Sequence, residues 1–128
     1  LAFFSGVLGF EMVNRAPRVP ILIPSITGGP GAAIEVAYIQ GPSHRLELIQ
    51  YHGPSERGQV DSRPCDSGFA HVAYDVDDVD AAVIASARHQ VLPIGEVTVI
   101  DNGPNAGRKV VYLRDRDGVT IEYIEVSV

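Results

Sequence analysis

One short pattern occurs twice in this chain and limits what the chain can fold into. Leu46-Glu47-Leu48-Ile49-Gln50 lines up with Ile121-Glu122-Tyr123-Ile124-Glu125, with a carboxylate at the second place of each run. Both runs are rich in strand-forming residues and follow a turn containing Gly, so both are predicted as strands. Side chains alternate faces along a strand. Glu122 therefore shares a face with Thr120, Ile124 and Val126, while Ile121 and Tyr123 point the other way. Glu47 shares a face with Ile49, with Leu46 and Leu48 behind it. In a single strand such a carboxylate reads as an edge charge that discourages aggregation. In matching places of two strands it indicates an internal repeat with a use for that position.

The remaining segments extend the repeat. Leu1, Phe4 and Leu8 are spaced as one face of a short helix that stops at Gly9. Residues 10–16 read as a strand. Residues 17–31 hold four prolines and three glycines, which predicts a long exposed loop or a poorly paired hairpin. Residues 32–40 form the next strand, with Ile34, Val36 and Tyr38 on one face, and Gly41-Pro42 turns the chain into the first carboxylate strand. Residues 53–67, polar and broken by Pro54 and Pro64, are the candidate linker. Residues 68–76 alternate as a strand with His71 on the face of Phe69 and Ala73. Asp77 is placed to cap a helix whose buried stripe is Val79, Ala82, Val83, Ser86 and Ala87. Strand signals return at 96–100 and 109–114, and Asp115-Arg116-Asp117-Gly118 is a hairpin turn before the last strand. The second half is thus β-α-β-β-β, and the first half is the same unit without its opening strand. The fold class is α+β, built from two βαβββ modules: 1–52 (opening strand missing), a linker at 53–67, and 68–128.

Composition removes several classes of function. The chain has 128 residues and a net charge of -6, which argues against a nucleic-acid-binding surface. No apolar run approaches a membrane span, and the first residues lack a basic region, so no membrane partner and a cytoplasmic location are expected. Cys65 is the one cysteine; no internal disulfide is possible, and nothing near it in sequence would activate the thiol.

In order and spacing, Phe3-Phe-Ser-Gly-Val-Leu-Gly-Phe10, Leu46-Glu-Leu-Ile49, Gly68-Phe-Ala-His-Val-Ala73, and Tyr112-Leu-Arg-Asp-Arg-Asp-Gly118 leading into Ile121-Glu-Tyr-Ile-Glu125 resemble the vicinal oxygen chelate superfamily. That group includes glyoxalase I, methylmalonyl-CoA epimerase, extradiol dioxygenases, and fosfomycin- and bleomycin-resistance proteins. Arg116 stands where the family more often has Pro in the Asp-Pro-Asp-Gly turn. The resemblance implies two curved sheets around a cleft, with one divalent metal ion bound there. Carried onto this chain, the implied metal ligands are Glu47, His71 and Glu122. A fourth, a His on the opening strand of the first module, would lie before Leu1, and such a strand is expected in the natural protein.

One imidazole and two carboxylates suit Zn, Ni, Co, Mn or Fe. Such an ion polarises vicinal oxygens of a small carbonyl substrate, while Glu47 or Glu122 shuttles a proton in the manner of a glyoxalase-like lyase or isomerase. Two alternatives stay open: an Fe(II) extradiol dioxygenase, in which Glu47 has no ligand duty, and a metal-free protein that sequesters a drug or metabolite as bleomycin-resistance proteins do. A homodimer is also implied by the resemblance. The simpler reading of His71 is a core histidine bonded to a backbone carbonyl. Glu47, flanked by Leu46, Leu48 and Ile49, is costly to bury as an ion unless a cation or hydrogen bonds compensate it. His44, His52 and His89 fall at turns or helix ends. Arg108 and Lys109 offer a contact to an anionic substrate or a solvated strand end. Tyr38, Tyr51 and Tyr112 either line the cleft or fill the core.

Overall fold

In the structure, a computed structural model describing residues 1–126, the chain divides into two compact units, Leu1–Gly58 and Gln59–Val128. Together the described residues form three helices and eight strands in two sheets, an α+β fold.

The first unit runs α1 (Ala2–Gly6), β1 (Glu11–Pro17), α2 (Ile23–Thr27), β2 (Ala33–Gln40) and β3 (Arg45–Gly53), and its strands lie antiparallel in the order β1-β2-β3. The opening helix is shorter than its spacing suggests. Leu8 lies beyond the last turn, Leu1 is exposed, and Phe3 is the side chain that α1 buries. Phe3 meets Phe4 edge-on at 5.2 Å, and Phe4 meets Phe10 at 5.9 Å. Residues 17–31 are not a continuous loop, since α2 lies within them. Pro24 is tolerated in its first turn, where its missing N–H costs nothing, and Gly28 ends it at φ +70. A helix of five residues burying one side chain, Ile23, leaves no periodicity to read in the sequence. Ile23 joins Ala32, Ile34 and Val36 in a buried cluster against which Tyr38 packs. The opposite face of β2 buries Ala37 and Ile39, so the middle strand carries the core of this unit.

The second unit runs β4 (His71–Val76), α3 (Val79–Ala87), β5 (Leu92–Pro93), β6 (Thr98–Val99), β7 (Lys109–Arg114) and β8 (Thr120–Glu125). The sheet order is β4-β8-β7-β5, with β6 also on β7. β4 and β8 are parallel, and the other pairings are antiparallel. The strand expected at 96–100 is reduced to Thr98–Val99. Leu92–Pro93 pairs with β7 separately: from Pro93 to Thr98 the chain takes five steps, while its partner moves three, from Leu113 to Val110. The two surplus residues bulge out of the ladder.

The helix cap falls one residue later than the sequence suggests. Asp78, in extended backbone conformation, accepts from the Ala81 N–H at 2.9 Å, and Glu125 accepts from the Val79 N–H at 3.1 Å. Val79 and Ser86 are buried, whereas Ala87 is exposed at the helix end. The hairpin turn is as expected. Gly118 has φ +87, and a Cβ there would also stand 2.7 Å from the Val60 carbonyl oxygen, so glycine is required twice over.

Register sorts the second sheet into two faces. Tyr74, Val111, Leu113, Ile121 and Tyr123 are buried and lie on the face that meets α3, with Val79, Ser86 and Val91. The other face carries His71, Ala73, Thr120, Glu122, Val110 and Tyr112. No helix among the described residues is long and apolar enough to cross a membrane.

Candidate functional site

On that second face, His71 sits opposite Thr120 in the parallel β4–β8 ladder, one pleat from Glu122. Parallel pairing places both side chains on one side of the sheet, and the His71 Nε2 lies 3.0 Å from Glu122 Oε2. Neither is a core residue: the side chains are 30% and 19% exposed. His71 therefore does not bond a backbone carbonyl as a structural histidine would.

Two rings flank the imidazole. Phe69 stacks on it at 6.0 Å, and Tyr112 lies at 4.8 Å, tilted by 39°. The Tyr112 hydroxyl is 3.4 Å from the same Nε2. Burial, and then the negative charge of Glu122, push the Tyr112 phenol above its ordinary pKa, so it remains a donor at neutral pH. An open groove of about 320 Å³ continues from Tyr112 past Val110, bordered by Pro64, Ile94, Glu96 and Thr98. It lies at the bulge between β5 and β6 and is at the small end of the range for ligand pockets.

Glu47 belongs to the first unit. It stands opposite Tyr38 in the β2–β3 ladder and accepts a hydrogen bond from the Tyr38 hydroxyl at 3.2 Å. The expectation that its carboxylate needs compensation for burial does not hold. β3 pairs on one side only among the described residues, and Glu47 is exposed together with Ile49 and Tyr51 on its face.

The donor set of the second unit suits a borderline divalent ion in kind, since one imidazole nitrogen and one carboxylate oxygen converge on one point. Among the described residues no three His, Cys, Asp or Glu side chains are grouped closely enough to hold an ion by themselves. Tyr112 was legible in part. The turn at Asp115–Gly118 sets Arg114 against Thr120, and counting back two places on each strand sets Tyr112 against Glu122. The groove had no such signal, because it depends on the broken β5–β6 ladder.

A model of the Glyoxalase/Bleomycin resistance protein/Dioxygenase superfamily matches residues 1–123. The chain belongs to that superfamily. It is 38% identical over 129 residues to a 2-epi-5-epi-valiolone epimerase of Actinomyces sp, covering 97% of this chain and 70% of that protein. It is 34% identical over 124 residues to the uncharacterized protein YaeR of Escherichia coli strain K12, covering 97% of this chain and 83% of that one. The crystal structure of a glyoxalase family protein from Bacillus cereus shares the fold with a TM-score of 0.73 at 24% identity, covering 91% of this chain and 77% of that one.

Proposed function

We propose that this chain is an isomerase of the epimerase type, moving a proton on a carbon beside a carbonyl with the help of a divalent metal. The observation that carries the proposal is the meeting of His71 Nε2 and Glu122 Oε2 at 3.0 Å on the open face of the second sheet. The relative named 2-epi-5-epi-valiolone epimerase supports it, since by its name that enzyme inverts a stereocentre of a ketone, and a C–H beside a carbonyl is the kind that a carboxylate base can remove.

His71 and Glu122 would hold the ion, which when bound supplies a Lewis acid for a carbonyl oxygen. The rest of the work falls to the chain's own side chains. Phe69 and Tyr112 restrict rotation of the His71 ring and keep Nε2 aimed at the ion's place. The Tyr112 hydroxyl, kept protonated, donates to a substrate oxygen, and the groove beyond it takes the carbon flank of the substrate. Glu122, which meets His71 at 3.0 Å, is also the carboxylate that takes and returns the proton.

Elemental analysis of untagged protein tests this. We expect roughly one equivalent of a first-row divalent metal, and at least about tenfold weaker retention in His71→Ala and Glu122→Gln. Parent protein that carries no metal and takes none up on dialysis would overturn the proposal in favour of a sequestering protein. Full metal content with oxygen-dependent catechol cleavage by the parent would instead make it a dioxygenase.

A further inference from the structure

We infer that Arg18 is an oxyanion-binding residue beside Glu47, taking a carboxylate or a phosphate. Arg18 follows β1, and its N–H bonds the Ile34 carbonyl at 3.1 Å, which continues the ladder one step past Pro17. Strand alternation then sets Arg18 on the face of Ala16, Tyr38 and Glu47. Its side chain runs back over Ala16, donating to that residue's carbonyl at 3.4 Å, and places the guanidinium 5.6 Å from the centre of the Tyr38 ring.

The phenol under this cation is the one that bonds Glu47. A positive and a negative group thus flank one aromatic ring on one face of the unit, without pairing to each other. Four other cations are paired with carboxylates: Arg15 with Glu35, Arg63 with Asp66, Lys109 with Asp80 and Arg114 with Asp61. Within the first unit, among the described residues, no carboxylate stands within ion-pair distance of Arg18. A guanidinium held over an aromatic ring keeps donors free, and its forked donors suit two oxygens of a carboxylate or phosphate. The ring and the Ala16 carbonyl orient that fork without neutralising it.

The test uses the full chain as purified, titrated separately with inorganic phosphate and with acetate at constant ionic strength, and followed through the arginine Nε–Hε resonances. One anion should saturate with a dissociation constant of roughly 1–10 mM, moving the Arg18 signal. Which one does so names the anionic group. Arg18→Met should weaken that binding by about tenfold or more, Arg18→Lys should keep part of it, and Arg88→Met, at the end of α3, should leave it unchanged. Circular dichroism confirms that each variant is folded. Saturation by neither anion, or equal binding by Arg18→Met, would overturn the inference. Because the titration reads neither metal nor turnover, its failure is distinct from failure of the metal analysis above.

Discussion

The strand that carries Glu122 meets its helix through a fully buried polar pair, and the direction of that hydrogen bond follows from counting protons. Ser86 and Tyr123 are both fully buried, with their oxygens 2.8 Å apart. Ser86 has a single hydroxyl proton, and it is directed to the Ala82 carbonyl at 2.6 Å. Tyr123 must therefore be the donor to Ser86. Burial raises its phenol pKa, so the donor persists at neutral pH.

Ser86→Ala then strands a buried donor, at about 1–3 kcal/mol. Alanine's better helix propensity returns about 0.5 kcal/mol, which leaves a net loss near 1.5 kcal/mol. Tyr123→Phe removes the donor and leaves Ser86 still bonded to Ala82, for a loss of about 1 kcal/mol. The double variant has no orphaned donor, so its loss should fall short of the sum by at least about 1 kcal/mol. In a chain of this size each kcal/mol corresponds to roughly 4 °C in Tm. Urea unfolding of the parent and three variants at neutral pH measures the coupling. Simple additivity, or Tyr123→Phe costing more than Ser86→Ala, would refute the assigned direction.

Other perturbations have equally definite signs. Gly41→Ala would put a Cβ 2.6 and 2.7 Å from two atoms of the buried Phe10 ring, and the forced repacking should cost about 1–3 kcal/mol in urea unfolding. Asp78→Ala, which removes the cap of α3, should cost about 1 kcal/mol, while Asp77→Ala should cost much less. The hydrogen bond from Arg15 is the main cause holding the Glu35 carboxyl below its ordinary pKa. Its stabilisation is fully present above the unfolded-state pKa and is lost as pH falls through the lower folded-state value. The stability gap between parent and Arg15→Met should therefore shrink on acidification below the carboxylate range; a gap that widens would contradict this.

Much of the second unit was legible before the structure because its signals are local. The Asp115–Gly118 turn, the strands on either side of it and the placing of His71 on the face of Phe69 follow from alternation and a single left-handed glycine. The repeat also marked Glu122, whose partner proves to be His71. What escaped depends on contacts distant in sequence or on very short elements. The α2 helix buries one side chain, so residues 17–31 show only their prolines and glycines. Asp77 and Asp78 are equivalent as sequence, and the backbone's entry into α3 chooses between them. Glu47 looked buried because its sequence neighbours are apolar, yet it lies on a strand paired on one side, where the face is open. Tyr38 and Arg18 could not be joined to Glu47 without the β1–β2–β3 register.

The central claim is proton transfer beside a carbonyl that needs a bound metal, and isotope exchange tests it most directly. The probe is 2-hydroxycyclohexanone in D₂O, with the proton on the carbinol carbon followed by NMR. The account predicts loss of that signal faster than in buffer alone with metal-replete protein. It also predicts return to the buffer rate after chelation, recovery on adding Mn or Co, and no acceleration by Glu122→Gln. Exchange at the buffer rate with metal-replete protein, or acceleration that survives chelation, would contradict it.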